Sequence, residues 1–238
     1  IEKLTEPKPD ESVSASELTI GNVLHAIMEQ LYSPLVGKNV TASDVEHLLA
    51  QVNDDTYWNG IEHLQSLKGD VLANRVVRTY VNNVLNNDHY QTPFLYIASE
   101  KPLRGNFFGV HLYGIADRID IKGGVVRMID YKTGNMDLKY DTMAKVFGVV
   151  EPSGGGIPMR TKGQRQILQT LLYCWLFTNG VNDMSNSGFP MPNSPSSNIT
   201  PYIYSVRRIR PEDMPAVERM GSPLMLDETV KQEFTKEL

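Results

Sequence analysis

Cysteine is almost missing from this chain: Cys174 is the only one in 238 residues. One thiol closes no intramolecular disulfide and builds no Cys-cluster metal site, which excludes a stapled secreted scaffold and points to a reducing compartment, the cytoplasm. Long apolar runs are also missing; none approaches the roughly 18 residues of a membrane-spanning helix. There is no surplus of positive charge, with 23 Lys and Arg against 28 Asp and Glu for a net −5. A protein that holds nucleic acid by charge alone is usually basic, so any such role here needs a local basic groove or metal ions that offset the carboxylates. No Gly-x-x-x-x-Gly-Lys-Ser/Thr occurs, and the run Gly154-Gly155-Gly156 has no Lys-Ser/Thr after it, so the chain is not by itself an ATP-driven motor. The start, Ile1-Glu2-Lys3-Leu4, has neither an initiator Met nor the layout of a signal peptide, and reads as a fragment of something longer or a processed chain.

What is present is the composition of a globular protein, 41% apolar and 21% charged, long enough for a sizeable core. Residues 1–15 read as a charged, proline-bearing tail or linker, and 16–238 as one domain. Ile20, Leu24, Ile27 and Leu31 recur at helical spacing over 16–32. Ser43 with Glu46 looks like a capping box for a second helix, and 68–85 predicts a third. From Pro93 the texture turns to short β-branched and aromatic runs at 94–99, 107–113, 115–121 and 125–131, with Lys122-Gly123-Gly124 as a tight turn. A helix over 163–177, a strand over 202–208 and helical segments at 212–219 and 229–238 complete the reading. The stretches 135–162 and 179–200 are longer than ordinary connections. The order predicts an α/β or α+β fold with a central mixed sheet.

The strongest local signal is Gly114-Ile-Ala-Asp117-Arg-Ile-Asp120 followed by Asp130-Tyr131-Lys132-Thr-Gly. On a strand Asp130 and Lys132 project from one side, and a hairpin would bring Asp117 beside Asp130. Taken alone, Asp-x-Lys is an ordinary strand-end ion pair and Asp117 would pair with Arg118 or a neighbour. In context, two carboxylates ending an apolar run suit a hard divalent cation, Mg²⁺ or Mn²⁺, that polarises a phosphodiester and activates a water. Lys132 would orient that water or stabilise charge in the transition state. His25 falls on a helical stripe with Gly21, Met28 and Tyr32, where Gly21 leaves room for close approach. Gln169 and Tyr173 share one face of a later helix.

These four motifs, Gly21-Asn-Val-Leu-His25, Gly-Ile-Ala-Asp117-Arg-Ile-Asp, Asp130-Tyr-Lys132-Thr-Gly and Gln169-Thr-Leu-Leu-Tyr173, occur in an order that resembles the RecB-like branch of the PD-(D/E)xK nuclease superfamily, especially the nuclease domain of AddB-type helicase–nuclease subunits. The resemblance implies a restriction-endonuclease-like core. It implies His25, Asp117, Asp130 and the carbonyl of Tyr131 as metal ligands, Lys132 as the catalytic lysine, and Gln169 and Tyr173 as support for the site. Glu100 stands where relatives often carry an acid, and a structural ion pair is an equal reading. The resemblance further implies a DNA exonuclease of repair or recombination, partnered by a helicase subunit or domain. An inactive DNA-binding scaffold of the same fold and a restriction or CRISPR-adaptation nuclease remain alternatives. Many such nucleases hold an iron–sulfur cluster on four cysteines, which Cys174 alone cannot supply within this chain.

Overall fold

The computed structural model describes residues 15–107, 109–134, 138–147, 162–179 and 198–237. The tail and most of the two long connections fall outside these ranges. The chain opens with helix α1 (Ala15–Tyr32), a two-residue strand β1 (Asn39–Val40), and helices α2 (Ala42–Asn53), α3 (Asp55–Asn59) and α4 (Val71–Gln91). Strands β2 (Phe94–Phe107), β3 (Val110–Lys122) and β4 (Val125–Lys132) follow, then β5 (Lys139–Tyr140), α5 (Met143–Phe147), α6 (Lys162–Asn179), β6 (Ile199–Ser205), β7 (Glu218–Arg219), β8 (Ser222–Pro223) and α7 (Glu228–Glu237).

The main sheet has the order β1-β2-β3-β4-β6, antiparallel except for the parallel pair β4–β6. It is a curled mixed sheet flanked by helices, consistent with a restriction-endonuclease-like core. Alternation along β4 assigns the two faces. Ile129 and Tyr131 join the core beneath α1–α4, while Val126 and Met128 join the core beneath α5, α6 and α7. Gly123 and Gly124, both at positive φ, make the β3–β4 turn, as their position after Lys122 predicts.

Three sequence expectations are corrected. The helix opened by a capping box starts two residues earlier, because Thr41 and Asp44 rather than Ser43 and Glu46 exchange the side-chain and backbone bonds. The strand expected to end at Ser99 continues through Pro102 to Phe107, and β3 starts at Val110 without a break at Gly114. The helix expected over 212–219 is absent. Buried Asn87 donates to the carbonyls of Arg210, Pro211 and Asp213, and Ala216 bridges Tyr202, so this stretch is held against β6 instead.

A buried charge cluster ties the N-terminal helices to the sheet. Arg118, fully buried on β3, meets Asp88 of α4 and Asp120 of β3, each at 2.6 Å, and Asp120 also takes Arg127 of β4. The Arg118 guanidinium lies over the rings of Phe94, Tyr32 and Tyr96 at 4.7, 5.1 and 5.3 Å. Tyr32, ending α1, donates to Asp88 at 2.6 Å. Arg118 therefore does not pair with its neighbour Asp117.

Candidate metal centre

The site forms where β4 parts from β3. Their ladder runs from Lys122 opposite Val125 to Arg118 opposite Ile129 and stops there, while β4 stays paired with β6 as far as Lys132 opposite Ser205. Beyond the split, β3 pairs only with β2, and Tyr131 keeps a backbone N–H and C=O facing the gap. Such groups need partners. The Asp117 carboxylate takes the N–H at 2.7 Å, and the carbonyl faces His25 Nε2 at 3.3 Å. Asp117 thus substitutes for the missing strand bond.

His25 comes from α1, whose neighbours Leu24, Ile27, Met28 and Leu31 are buried against the N-terminal core. Its Nδ1 lies 3.2 Å from Glu100 Oε1 and its Nε2 3.6 Å from Asp117 Oδ2. One donor atom each from His25, Glu100 and Asp117 falls within 4.8 Å of the others. Asp130 is not among those three. It accepts from Lys132 Nζ at 2.7 Å, and its second oxygen is buried without a hydrogen-bond partner among the described residues.

Glu100 is the residue that sequence reasoning left open. The hairpin register sets it directly across from Asp117, between Ser99 opposite Arg118 and Lys101 opposite Ala116. Reading β2 as ending at Ser99 hid that position. Glu100 also sits at φ +42°, a left-handed conformation costly for a side chain with a Cβ and of the kind found at functional sites.

Gln169 and Tyr173 share a face of α6 as expected, and the amide donates to the phenol at 2.6 Å. Neither bonds Lys132; Tyr173 reaches the site through the charges of Asp130 and Asp117. Its ring lies against Gly114, where a Cβ would come within 2.4 Å of Cε1 and 2.8 Å of Cδ1. Since that ring is buried, Gly114→Ala is expected to displace it, costing about 1–3 kcal/mol in urea unfolding, with a parallel loss of activity. A neutral result in both would show that the contact is slack. At Gly21, by contrast, a Cβ would meet nothing within 4 Å among the described residues, so the close approach expected there is not found.

Charge sets the protonation of the site. Burial by itself would lower the His25 pKa. The Glu100 hydrogen bond and the charges of Asp117, Glu100 and Asp130 outweigh it and raise the value to about 9. Burial, then the Asp130 charge, pushes Asp117 well above the ordinary carboxylate range, although His25 and Lys132 act against the shift. Burial would also lower Lys132, but Asp130 and Asp117 hold it above its usual value, so it stays an ammonium.

The donor set of one imidazole, carboxylates and a carbonyl is oxygen-rich and suits a hard divalent cation, and the orphaned Asp130 oxygen is a further buried acceptor beside it. For His25 and Asp117 the folded values lie above the unfolded ones, so folding takes up protons and their contribution to stability fades as pH rises. A cation must displace those same protons. Mn²⁺ is therefore expected to raise the melting temperature more at about pH 8 than at about pH 6, in differential scanning fluorimetry. An equal shift at both would place the ion elsewhere.

A comparison with protein-family models matches residues 1–237 to the PD-(D/E)XK nuclease superfamily. No curated protein matches the chain.

Proposed function

Because the chain belongs to the PD-(D/E)XK nuclease superfamily, we propose that it hydrolyses phosphodiester bonds of DNA at the gap between β3 and β4, with a divalent cation, Mg²⁺ or Mn²⁺, as cofactor. The observation that carries this reading is the convergence of His25, Glu100, Asp117 and the Tyr131 carbonyl beside the Asp130–Lys132 pair. These residues would hold the cation, with Asp130 completing the set. When bound, such an ion lowers the pKa of a water and polarises the phosphoryl group.

The remaining chemistry belongs to the chain. Lys132, kept protonated by Asp130, is a poor base and a good donor, so its role is to neutralise charge on the phosphoryl oxygens as the water attacks. Asp130 orients that ammonium. Gln169 holds the Tyr173 phenol on the α6 side of the gap, where that group feels the charges of Asp130, Asp117 and Lys132.

We read the activity as exonucleolytic, acting on ends of linear or single-stranded DNA in repair or recombination in the cytoplasm, in partnership with a helicase subunit or domain. Among the described residues no helix is long and apolar enough to cross a membrane. Residues 16–238 act as one nuclease domain in this reading, and the inactive scaffold loses ground because none of the charged groups has been replaced. The deciding experiment is cleavage of end-labelled linear single- and double-stranded DNA with Mn²⁺ or Mg²⁺, against EDTA. Metal-dependent release of label supports the reading; no release from a folded protein that binds Mn²⁺ at these residues defeats it.

A further inference from the structure

The hairpin of β2 and β3 extends well past the end of β4, and the face of this two-stranded arm that points away from α6 has no part in the site described above. The arm's charge differs from that of the chain around it. Residues 101–116 carry Lys101, Arg104 and His111 and no carboxylate, in a protein of net charge −5. One face of the arm is packed: Leu103 and Gly114, opposite each other, are buried with α6 against them. The other face is open, with Tyr113 57% and Ile115 38% exposed.

Alternation makes that open face continuous with the metal centre. Tyr113, Ile115 and Asp117 lie on one side of β3, and the register sets Arg104 across from Tyr113 and Pro102 across from Ile115, the next step being Glu100 and Asp117. The Arg104 guanidinium lies 5.8 Å from the Tyr113 ring centroid, so aromatic face and cation are presented together. At about 3.3 Å per residue, Tyr113 stands roughly 13 Å along the strand from Asp117, a span of a few nucleotides.

We propose that this face of the arm is a track for a single DNA strand, which stacks a base on Tyr113, sets a phosphate near Arg104 and delivers a bond further along to the metal centre. The proposal rests on the reading of the protein as a DNA hydrolase and names the form of its substrate. A lone aromatic ring on an open strand accepts an unstacked base; in a duplex the base faces are already covered. Between the arm's turn and the metal centre the described residues of the open face carry one formal cation, Arg104, and no carboxylate, which suits a phosphate beside the Tyr113 ring and not an apolar protein partner.

The test is fluorescence anisotropy in EDTA, with a short fluorescein-labelled oligothymidylate and a duplex of equal length, on wild type, Tyr113→Ala, Tyr113→Phe and Arg104→Ala. Tyr113→Ala is expected to weaken single-strand binding about 5- to 100-fold and duplex binding far less, while Tyr113→Phe keeps it. Arg104→Ala should lower affinity and flatten its dependence on salt. Equal single-strand affinity for wild type and Tyr113→Ala, or an equal loss on duplex, overturns the proposal. If wild type then still cleaves DNA with metal, the hydrolase reading stands without it. If wild type neither binds nor cleaves DNA, both fail.

Discussion

Asp117→Asn is expected to give a protein that is more stable than wild type without metal and at least about a thousand-fold slower in DNA hydrolysis. Both effects follow from the same atoms. The asparagine amide oxygen can still accept the Tyr131 N–H that the carboxylate takes at 2.7 Å, so the split between β3 and β4 is preserved. What disappears is a buried negative charge that the fold holds at a cost, as its upward-shifted pKa shows. With it goes one of the three donors that His25, Glu100 and Asp117 bring together. Mn²⁺ should then no longer raise the melting temperature. Lys132→Met should fail differently, losing about a hundred- to a thousand-fold in hydrolysis while the Mn²⁺-induced shift persists, because it removes charge stabilisation and leaves the three grouped donors in place. Urea unfolding, scanning fluorimetry with Mn²⁺ and a cleavage assay on the two variants check this. Full hydrolysis by either folded variant removes that residue from the site.

Arg118→Met is expected to cost about 3–5 kcal/mol, a fall of very roughly 6–20 °C in melting temperature for a domain of this size. The guanidinium is the hub between Asp88, Asp120 and three aromatic rings, and none of the three charged groups is exposed. Methionine fills much of the volume but leaves Asp88 without a cation. Asp120 keeps Arg127, so the strain concentrates at α4. Because Tyr32 donates to Asp88, the end of α1 loosens as well, two turns from His25. A double variant that also replaces Asp88 by Asn should recover part of the loss, since removing both buried charges is cheaper than orphaning one. A loss below about 1 kcal/mol for Arg118→Met would show that water reaches the cluster.

The elements with strong periodicity were legible from sequence. Helix α1 over Leu24, Ile27 and Leu31, helix α6, and the turn at Gly123-Gly124 stand where spacing and glycine predict them. Asp130 and Lys132 share a side of β4, as alternation requires. The structure brings His25, Asp117 and the Tyr131 carbonyl together; that they bind metal remains the proposal above. Glu100 was obscured by local chemistry. Lys101-Pro102 looks like the end of a strand, yet in a two-stranded arm both strands are edges and tolerate proline. The role of Arg118 was equally hidden, because its partner Asp88 lies 30 residues earlier on a helix, and no local pattern encodes that distance. At 212–219 the apparent helix loses to Asn87, which claims the carbonyls from another element.

The backbone at Glu100 sets thermal endurance against activity. A laboratory population selected only for survival at high temperature, with no demand for cleavage, would gain by placing glycine or asparagine at position 100, where either relaxes the +42° torsion. The same change removes a carboxylate from the group facing His25. Heat-adapted descendants that have drifted to glycine there would carry the mark of a lineage released from its chemistry, and those that keep glutamate would be the ones still paying for it.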